Sequence, residues 1–408
     1  MGHHVTASED GASATEVIRV WRANGITWST IRVYRRVVRS FYEDCHRRGT
    51  PVKEHLTRAY AEQWAVQHAR RSRSNAANAK STVRSALRAW SWGLEVCGLI
   101  VPSWEEPVVA PATLPALQEA FVRYRQDVCG VAESTLRREL ALAEEFLRHL
   151  RHRRRTLAQL RVADVDEFLH ACARRFAPRT LARVAGILRS LLRFLYASGR
   201  ISHDLARGVV SPRVRRGGNL PRVLPWADVQ RIFRAIDRTT RTGQRDYALL
   251  LMMAVYGLGS GEARNLTLES VDWRRQEVRV VRPKTGAAVH LPLLPAVGQA
   301  LAKYLQRGRP RHCTSKALFV QMHAPYGSLR SSAAIRHILH KHAMIAGIST
   351  VSLGSHVLRH SHASRQIDQG ASATVVGDIL GHRRPESTSA YVRVALRRLR
   401  NLALPVPR

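Results

Sequence analysis

Five polar residues towards the C-terminal end of the chain have types and spacing that suit chemistry on a phosphate. His356 and Arg359 lie three residues apart, and Lys284 precedes both of them. Tyr391 follows His382 by nine residues. Residues three apart on a helix share a face, so His356 and Arg359 are predicted to act together. Each residue alone is a weak signal, but their order and spacing together predict a catalytic site.

These residue types can together cleave a phosphodiester. A tyrosine such as Tyr391 can bond to phosphorus once its proton is removed and the charge on the phosphate oxygens is stabilised. Arg359 can hold two non-bridging oxygens, and His356 and His382 can donate hydrogen bonds or move protons near neutral pH. Lys284 can protonate the departing oxygen. A phosphotyrosyl bond conserves the energy of the broken bond, so neither ATP nor a metal is needed, and no cofactor is predicted.

A metal site is the competing interpretation of the histidines. Spacing of four residues on a helix can bind zinc. Two stretches are rich in histidine, with His337, His340 and His342 in one and His356, His360 and His362 in the other, and His356 and His360 have this spacing. Neither stretch has a nearby Cys, Asp or Glu as an obvious further ligand. Histidines beside arginines in a basic chain favour phosphate contacts, and no metal is predicted.

The chain is strongly basic. Its 408 residues include 66 Lys and Arg against 30 Asp and Glu, a net charge of +36. Such an excess repels itself unless a polyanion offsets it, and it is spread through helical patterns, so a nucleic acid, either DNA or RNA, is the predicted partner. A solvated surface rich in Arg because of genome composition is the alternative. The hydrophobic fraction of 45% excludes global disorder.

Location is predicted from what the sequence lacks. The five cysteines are scattered without CxxC spacing, which argues against a disulfide framework or a zinc finger. No apolar run reaches the roughly 20 residues that span a bilayer. The polar N-terminus has no signal-peptide core. These features predict a cytoplasmic protein with no membrane partner.

The first two hundred residues carry helical patterns in two similar groups. Helices are predicted at residues 29–45, 56–69 and 81–96, and again from residue 134 and at 180–198. Ser29 and Ser134 are good N-cap residues for two of them. Proline-rich breaks at 101–115 and 211–225 separate the two groups from each other and from the C-terminal part of the chain. The pattern predicts two tandem helical DNA-binding modules at residues 1–105 and 114–212.

Beyond residue 225 the pattern includes strands. Helices are predicted at 226–238 and 246–256, strands at 277–281 and 289–293, and mainly helix again over 331–402. The turn composition between the strands predicts a β-hairpin with Lys284 near its tip. The expected fold is mainly α with a small β-sheet, and the third domain covers residues 222–408.

Residues 224–402 resemble the catalytic domain of the tyrosine recombinases, the phage integrase family. The resemblance rests on matches to the family's motifs: Gly257-Leu258, Ser260 or Gly261, Glu262, Lys284, His356, Arg359, Leu380-Gly381-His382 and Tyr391. Residues 114–210 resemble the family's helical core-binding domain. The resemblance implies a site-specific recombinase, an integrase or transposase of a mobile element, that cleaves DNA through a 3′-phosphotyrosyl intermediate. It also implies that the partner is double-stranded DNA at recombination sites, bound by a homotetramer, alone or with other recombinases.

One position departs from the family pattern. The first catalytic Arg is expected directly after Gly257-Leu258, where this chain has Gly259. Arg264 is five residues further on, about 140° around a helix, and is a poor substitute, whereas Glu262 keeps the expected face. Either another Arg or Lys fills the gap, or the enzyme is slow, or it is inactive. An active recombinase is favoured over a catalytically weak or inactive accessory DNA-binding protein. A DNA-relaxing topoisomerase fits the tandem helical front less well.

Overall fold

The computed structural model describes residues 7–71, 76–102, 104, 116–213, 221–283, 286–349, 353–381, 388 and 391. Helices dominate, and one small antiparallel sheet lies in the C-terminal part. The predicted fold class, mainly α with a small β-sheet, is confirmed. In the part of the chain that the structure describes, no helix is long and apolar enough to cross a membrane.

The N-terminal helices surround a core rich in aromatic side chains. Their bounds are α1 (Ala7–Ala23), α2 (Trp28–Arg47), α3 (Val52–His55), α4 (Arg58–Arg71) and α5 (Ala76–Val96). Trp21, Phe41 and Trp64 are buried in this core. The predicted cap Ser29 is wrong, because the Thr27 hydroxyl accepts the Thr30 N–H and α2 begins at Trp28.

A second group of helices encloses its own core. Its members are α6 (Ala116–Arg123), α7 (Glu133–His152), α8 (Val162–Ala173) and α9 (Pro178–Ala197). Phe146, Phe168 and Leu192 are buried between them, as helical apolar spacing requires. The predicted cap Ser134 is also wrong, since α7 begins at Glu133 with Ala132 at the cap position.

The C-terminal part combines helices with a three-stranded sheet. The helices are α10 (Trp226–Arg234), α11 (Arg241–Tyr256), α12 (Ser260–Asn265), α13 (Pro295–Lys303), α14 (Ser332–Ile345), α15 (Val357–Asp368) and α16 (Ala373–Leu380). The strands are β1 (Val271–Asp272), β2 (Glu277–Val281) and β3 (Ala288–Pro292), in sheet order β1-β2-β3. Antiparallel pairing sets Val281 opposite Ala288, which confirms the predicted hairpin with β3 one residue earlier than expected.

A buried ionic network joins α11 to α14. Asp246 accepts hydrogen bonds from Arg245 Nε at 2.6 Å and from His342 Nε2 at 2.8 Å. Arg245 also donates to the Val320 carbonyl at 2.9 Å. Burial acts to raise the pKa of Asp246, but the His342 hydrogen bond and the Arg245 charge outweigh it and hold that pKa below its usual value. The network therefore holds a charged carboxylate inside the core.

Two compact units are formed by the chain. One contains residues 1–107 together with 219–408, and the other contains residues 108–218. Within the first unit, Trp92 contacts Tyr326 edge-to-face with ring centroids 4.9 Å apart, and Arg241 donates to the Ala23 carbonyl at 3.1 Å. The N-terminal helices and the C-terminal part thus share a core that the sequence pattern did not predict. The three predicted domain boundaries remain a prediction.

Candidate active site

The site begins at the turn between α11 and α12. Gly257 ends α11 with φ +62°, a left-handed conformation, and a Cβ there would lie 2.6 Å from the Leu380 side chain, so glycine is required. Gly259 is the N-cap residue of α12 with φ −71° and ψ 155°, which any residue adopts. Glu262, in the first turn of α12, accepts the Gly259 N–H at 2.8 Å. This bond fixes the direction of the Glu262 carboxylate.

Two guanidinium groups share the Glu262 carboxylate. Arg282 donates to Oε1 at 2.7 Å, and Arg359 donates to Oε2 at 2.9 Å. The exposed fraction is 5% for the Arg282 side chain, 11% for Arg359 and 10% for Glu262. The cluster therefore carries two positive charges and one negative charge in a nearly dry environment, where electrostatic interactions are strong. Arg359, predicted from its motif, lies at the centre of the site.

The same two arginines donate hydrogen bonds to the C-terminal end of α16. Arg282 Nη2 donates to the Ile379 carbonyl, and Arg359 Nη2 donates to the Leu380 carbonyl. The last carbonyls of a helix lack partners within the helix and carry partial negative charge, so cations stabilise them. Gly381 then ends α16 with φ +66°. This end of α16 therefore lies against the guanidinium groups of Arg282 and Arg359.

Tyr391 lies beside α15 with its hydroxyl 2.7 Å from Nδ1 of His360. The ring is nearly buried. Burial raises the pKa of Tyr391, and the nearby Arg359 charge only partly offsets this effect. At neutral pH the hydroxyl is therefore protonated, and a nucleophilic role requires an acceptor for its proton. His360 is in the right place to be that acceptor.

His356 is the N-cap residue of α15, one residue before the helix begins. The prediction placed both His356 and Arg359 on a helix, whereas only Arg359 lies within α15 and His356 is its cap. A Cβ on Gly259 would lie 3.3 Å from His356 Cε1, so the imidazole borders the position where the family has its first Arg. The rings of His356 and His360 are 6.3 Å apart.

Two predicted catalytic residues, Lys284 and His382, lie outside the described residues. Before Lys284 and after it, the chain is joined by a hydrogen bond from the Gly286 N–H to the Arg282 carbonyl at 2.8 Å. His382 directly follows Gly381 at the end of α16.

Arg282 and His360 were missed as site residues in the sequence. Val278 and Val280 point inward from β2, and the alternation continues to Arg282, which is buried. A charged residue at an inward position of a strand signals a partner, and here that partner is Glu262. His360 follows Arg359 directly, but no sequence pattern showed that it meets Tyr391.

Arg264, His340 and His362 make hydrogen bonds to other parts of the fold. Arg264 donates to the Arg330 carbonyl at 3.0 Å, away from Glu262. His340 bonds the Leu353 carbonyl at 2.7 Å, and His362 bonds the Ala254 carbonyl at 3.0 Å. These rings use their nitrogens for contacts within the fold.

Sequence comparison identifies the family. Residues 222–398 match the phage integrase family, and residues 119–199 match the phage integrase N-terminal SAM-like domain. A Sinorhizobium fredii protein described as an integrase/recombinase, y4rA, is 35% identical over 73% of this chain and 72% of its own length. The tyrosine recombinase XerC of Oceanobacillus iheyensis is 30% identical over 69% of this chain and 92% of its own length. The chain therefore belongs to the phage integrase family, the tyrosine recombinases.

Solved structures have a similar fold. The XerH site-specific recombinase bound to palindromic difH substrate has a TM-score of 0.54 at 15% identity, over 86% of this chain and 96% of that chain. A lambda integrase dimer bound to a COC′ core site has a TM-score of 0.52 at 16% identity, over 81% of this chain and 89% of that chain. These identities support a common fold rather than a common DNA target.

Proposed function

We propose that this chain is a site-specific recombinase that cuts and rejoins duplex DNA through a 3′-phosphotyrosyl bond to Tyr391. The observation that carries the proposal is the Tyr391 hydroxyl, 2.7 Å from His360 Nδ1 on the helix that also bears Arg359. The nucleophile thus has both a proton acceptor and a phosphate-binding cation next to it.

The proposed reaction balances without a cofactor. The Tyr391 oxygen attacks phosphorus and its proton passes to His360 Nδ1, in the tautomer that leaves this nitrogen unprotonated. The bond between phosphorus and the 5′-oxygen breaks, and Lys284 supplies a proton to that oxygen. Arg359, His356 and His382 are proposed to stabilise the charge on the non-bridging oxygens. Rejoining is the reverse reaction with a new 5′-hydroxyl.

Duplex DNA is the proposed partner, and a tetramer is the proposed active form. Recombination joins two sites and breaks four strands, so it requires four tyrosines, contributed by this chain alone or with other recombinases. The net charge of +36 supports a long contact with the DNA backbone. A lambda integrase tetramer bound to a Holliday junction has a TM-score of 0.51 to this chain. Integration or transposition of a mobile element is the process that this activity would serve.

A nicked suicide substrate tests the proposal, made from the DNA that flanks the coding sequence. The short fragment that bears the new 5′-hydroxyl diffuses away after cleavage, so the covalent protein–DNA adduct accumulates and resists denaturation. We expect an adduct with the natural chain and none with Tyr391→Phe, while both bind DNA equally. DNA binding without any adduct would instead favour the inactive accessory protein, and an adduct with Tyr391→Phe would exclude Tyr391 as the nucleophile.

A substrate with a modified leaving group separates the role of His360 from that of Lys284. A substrate with sulfur in place of the 5′-bridging oxygen needs no proton on the leaving group, because a thiolate leaves readily. We expect this substrate to restore cleavage by Lys284→Ala but not by His360→Ala. Restoration of both variants, or of neither, would refute the assignment of acid and base.

A further inference from the structure

The chain has Gly259 where the family has its first Arg. The fold places a second cation, Arg282, beside the Glu262 carboxylate that Gly259 borders. We propose that Arg282 is a positioning residue that restores the charge lost with the family's first Arg; this inference rests on the proposed function. Both positions border one carboxylate. A Cβ on Gly259 would lie 3.6 Å from Glu262 Oε2, and Arg282 Nη1 lies 2.7 Å from Glu262 Oε1.

Charge balance explains why a second cation is needed. Without Arg282, Glu262 would neutralise Arg359, and the pair would have no net charge to offer a phosphate. With Arg282 the cluster has a net charge of +1, since two guanidiniums face one carboxylate. The cluster is nearly buried, so this charge is poorly screened and acts strongly on a phosphate bound by Arg359.

Arg282 also holds the backbone that precedes His382. Its Nη2 donates to the Ile379 carbonyl, and its Nε lies 3.1 Å from the position of a Cβ on Gly381. Gly381 therefore allows the guanidinium to approach the end of α16 closely. Within the described part of the chain, Arg282 Nε is buried and has no hydrogen-bond partner. The position of Arg282 thus couples the charge of the cluster to the placement of the C-terminal end of α16.

Single-turnover adduct formation with Arg282→Gln and Arg282→Lys tests this inference. On a normal phosphodiester we expect the Gln variant to be about 10²–10³-fold slower, the range seen for loss of one charge stabiliser. The Lys variant keeps the charge and should stay within roughly tenfold of the natural chain. DNA affinity should change little in either variant, because the Arg282 side chain is 5% exposed and donates to Glu262.

A methylphosphonate substrate separates a charge effect from a structural one. Methyl in place of a non-bridging oxygen removes the negative charge that the cluster stabilises, so the deficit of Arg282→Gln should shrink to about tenfold or less. An equal deficit on both substrates, or none on either, would overturn the inference. If the Gln variant does not fold, the Lys variant decides, and a deficit above a hundredfold on both substrates would refute a charge role. Failure of the natural chain to form any adduct would refute the proposed function instead.

A separate cluster of arginines forms a second basic site in the first compact unit. This arginine cleft has a volume of about 630 Å³, and its basic lining is Arg58, Arg84, Arg88, His323 and Arg330. Helices α4 and α5 supply three of the arginines, and the segment before α14 supplies the other two residues. Ser81 and Ser85 add hydroxyl groups to the lining. The helices of the cleft lie outside both matched segments, 119–199 and 222–398, whereas His323 and Arg330 lie within the second.

Two arginines of the arginine cleft share a single carboxylate. Glu62 pairs with Arg58 at 3.1 Å and with Arg84 at 3.7 Å, so one carboxylate serves two guanidiniums. Burial lowers the pKa of Arg88, and the charges of Arg330, Arg84 and Arg58 lower it further. Arg88 Nη2 lies 2.8 Å from His323 Nδ1, and its buried Nε has no hydrogen-bond partner among the described residues. This accumulation of donors and positive charge is suited to an anion.

We infer that the arginine cleft binds backbone phosphates of the DNA away from the cleavage point. Each phosphate bound there releases counterions, so the slope of log affinity against log salt concentration should fall by about 0.9 per contact removed. We expect Arg84→Gln combined with Arg330→Gln to lower that slope by about one or two, while the rate of adduct formation at saturating DNA is unchanged.

Arg275→Gln is the matched control, because Arg275 is an exposed arginine in the β1–β2 turn. A fall in slope for the cleft variant no larger than that of the Arg275→Gln control would overturn the inference. A lower adduct rate at saturating DNA would also overturn it, since it would assign the cleft to catalysis. Because slope and adduct are measured separately, loss of the adduct in the natural chain would affect only the proposed function.

Discussion

Glu262→Gln tests whether the shared carboxylate holds the site together. The substitution keeps the shape but removes the charge. Three donors converge on Glu262, namely the Gly259 N–H, Arg282 Nη1 and Arg359 Nη1. A glutamine has one acceptor oxygen, and its amide nitrogen would face at least one of these donors. Two nearly buried guanidiniums would then lack a counter-charge.

The cost follows from the burial of the cluster. Removing one partner of a buried ion pair typically costs about 3–5 kcal/mol. For a folded unit of this size, 1 kcal/mol corresponds to roughly 2–4 °C, so the melting temperature should fall by about 6–20 °C. Duplex DNA supplies a phosphate as a replacement anion, and it should therefore raise the melting temperature of Glu262→Gln more than that of the natural chain.

Thermal melting with and without DNA measures both effects. Glu269→Gln is the control, because Glu269 is an exposed residue that pairs with Lys316 at 3.7 Å and should contribute less than about 1 kcal/mol. A Glu262→Gln variant that melts within about 2 °C of the control would show that the shared carboxylate contributes little. An equal effect of DNA on both proteins would refute the replacement of the carboxylate by a phosphate.

Three further predictions concern the site, the core and the surface. Gly259→Arg should leave adduct formation unchanged or slower, since Arg282 already supplies the second cation. The same substitution should speed adduct formation by the Arg282→Gln variant. Faster cleavage by Gly259→Arg in the natural background would refute compensation by Arg282. Asp246→Asn should lower the free energy of unfolding by about 3–5 kcal/mol, because it leaves Arg245 buried and uncompensated. The pKa of Asp246 is lower in the folded state than in the unfolded state. Its contribution to stability is therefore complete above about pH 4 and is lost as the pH falls through the folded-state pKa. Urea titrations at several pH values would show this loss. Affinity for DNA should fall about 10³–10⁵-fold between 50 and 200 mM salt if some 6–10 phosphates are bound, and a flat response would argue against the DNA backbone as target of the net charge.

Local patterns in the sequence predicted most elements correctly. Alternation of apolar residues located β2 at its observed bounds, and helical spacing located α2 and α9 to within a few residues. The ends of helices were less accurate, because a neighbouring residue such as Thr27 can take the capping role. Strand β1 has two residues, which is too short for any alternation to be visible.

The types and order of the candidate site residues could be read from the sequence, because motif spacing reflects the local element that carries each residue. Tyr391, Arg359 and Glu262 were all predicted in this way. Contacts between distant elements were not, since they depend on how the elements pack. Arg282 and Glu262 are 20 residues apart and Glu262 and Arg359 are 97 apart, so only the tertiary structure brings the three onto one carboxylate. The same holds for His360 beside Tyr391 and for the N-terminal helices that share a core with Tyr326, because burial of apolar surface selects these neighbours without leaving a local pattern.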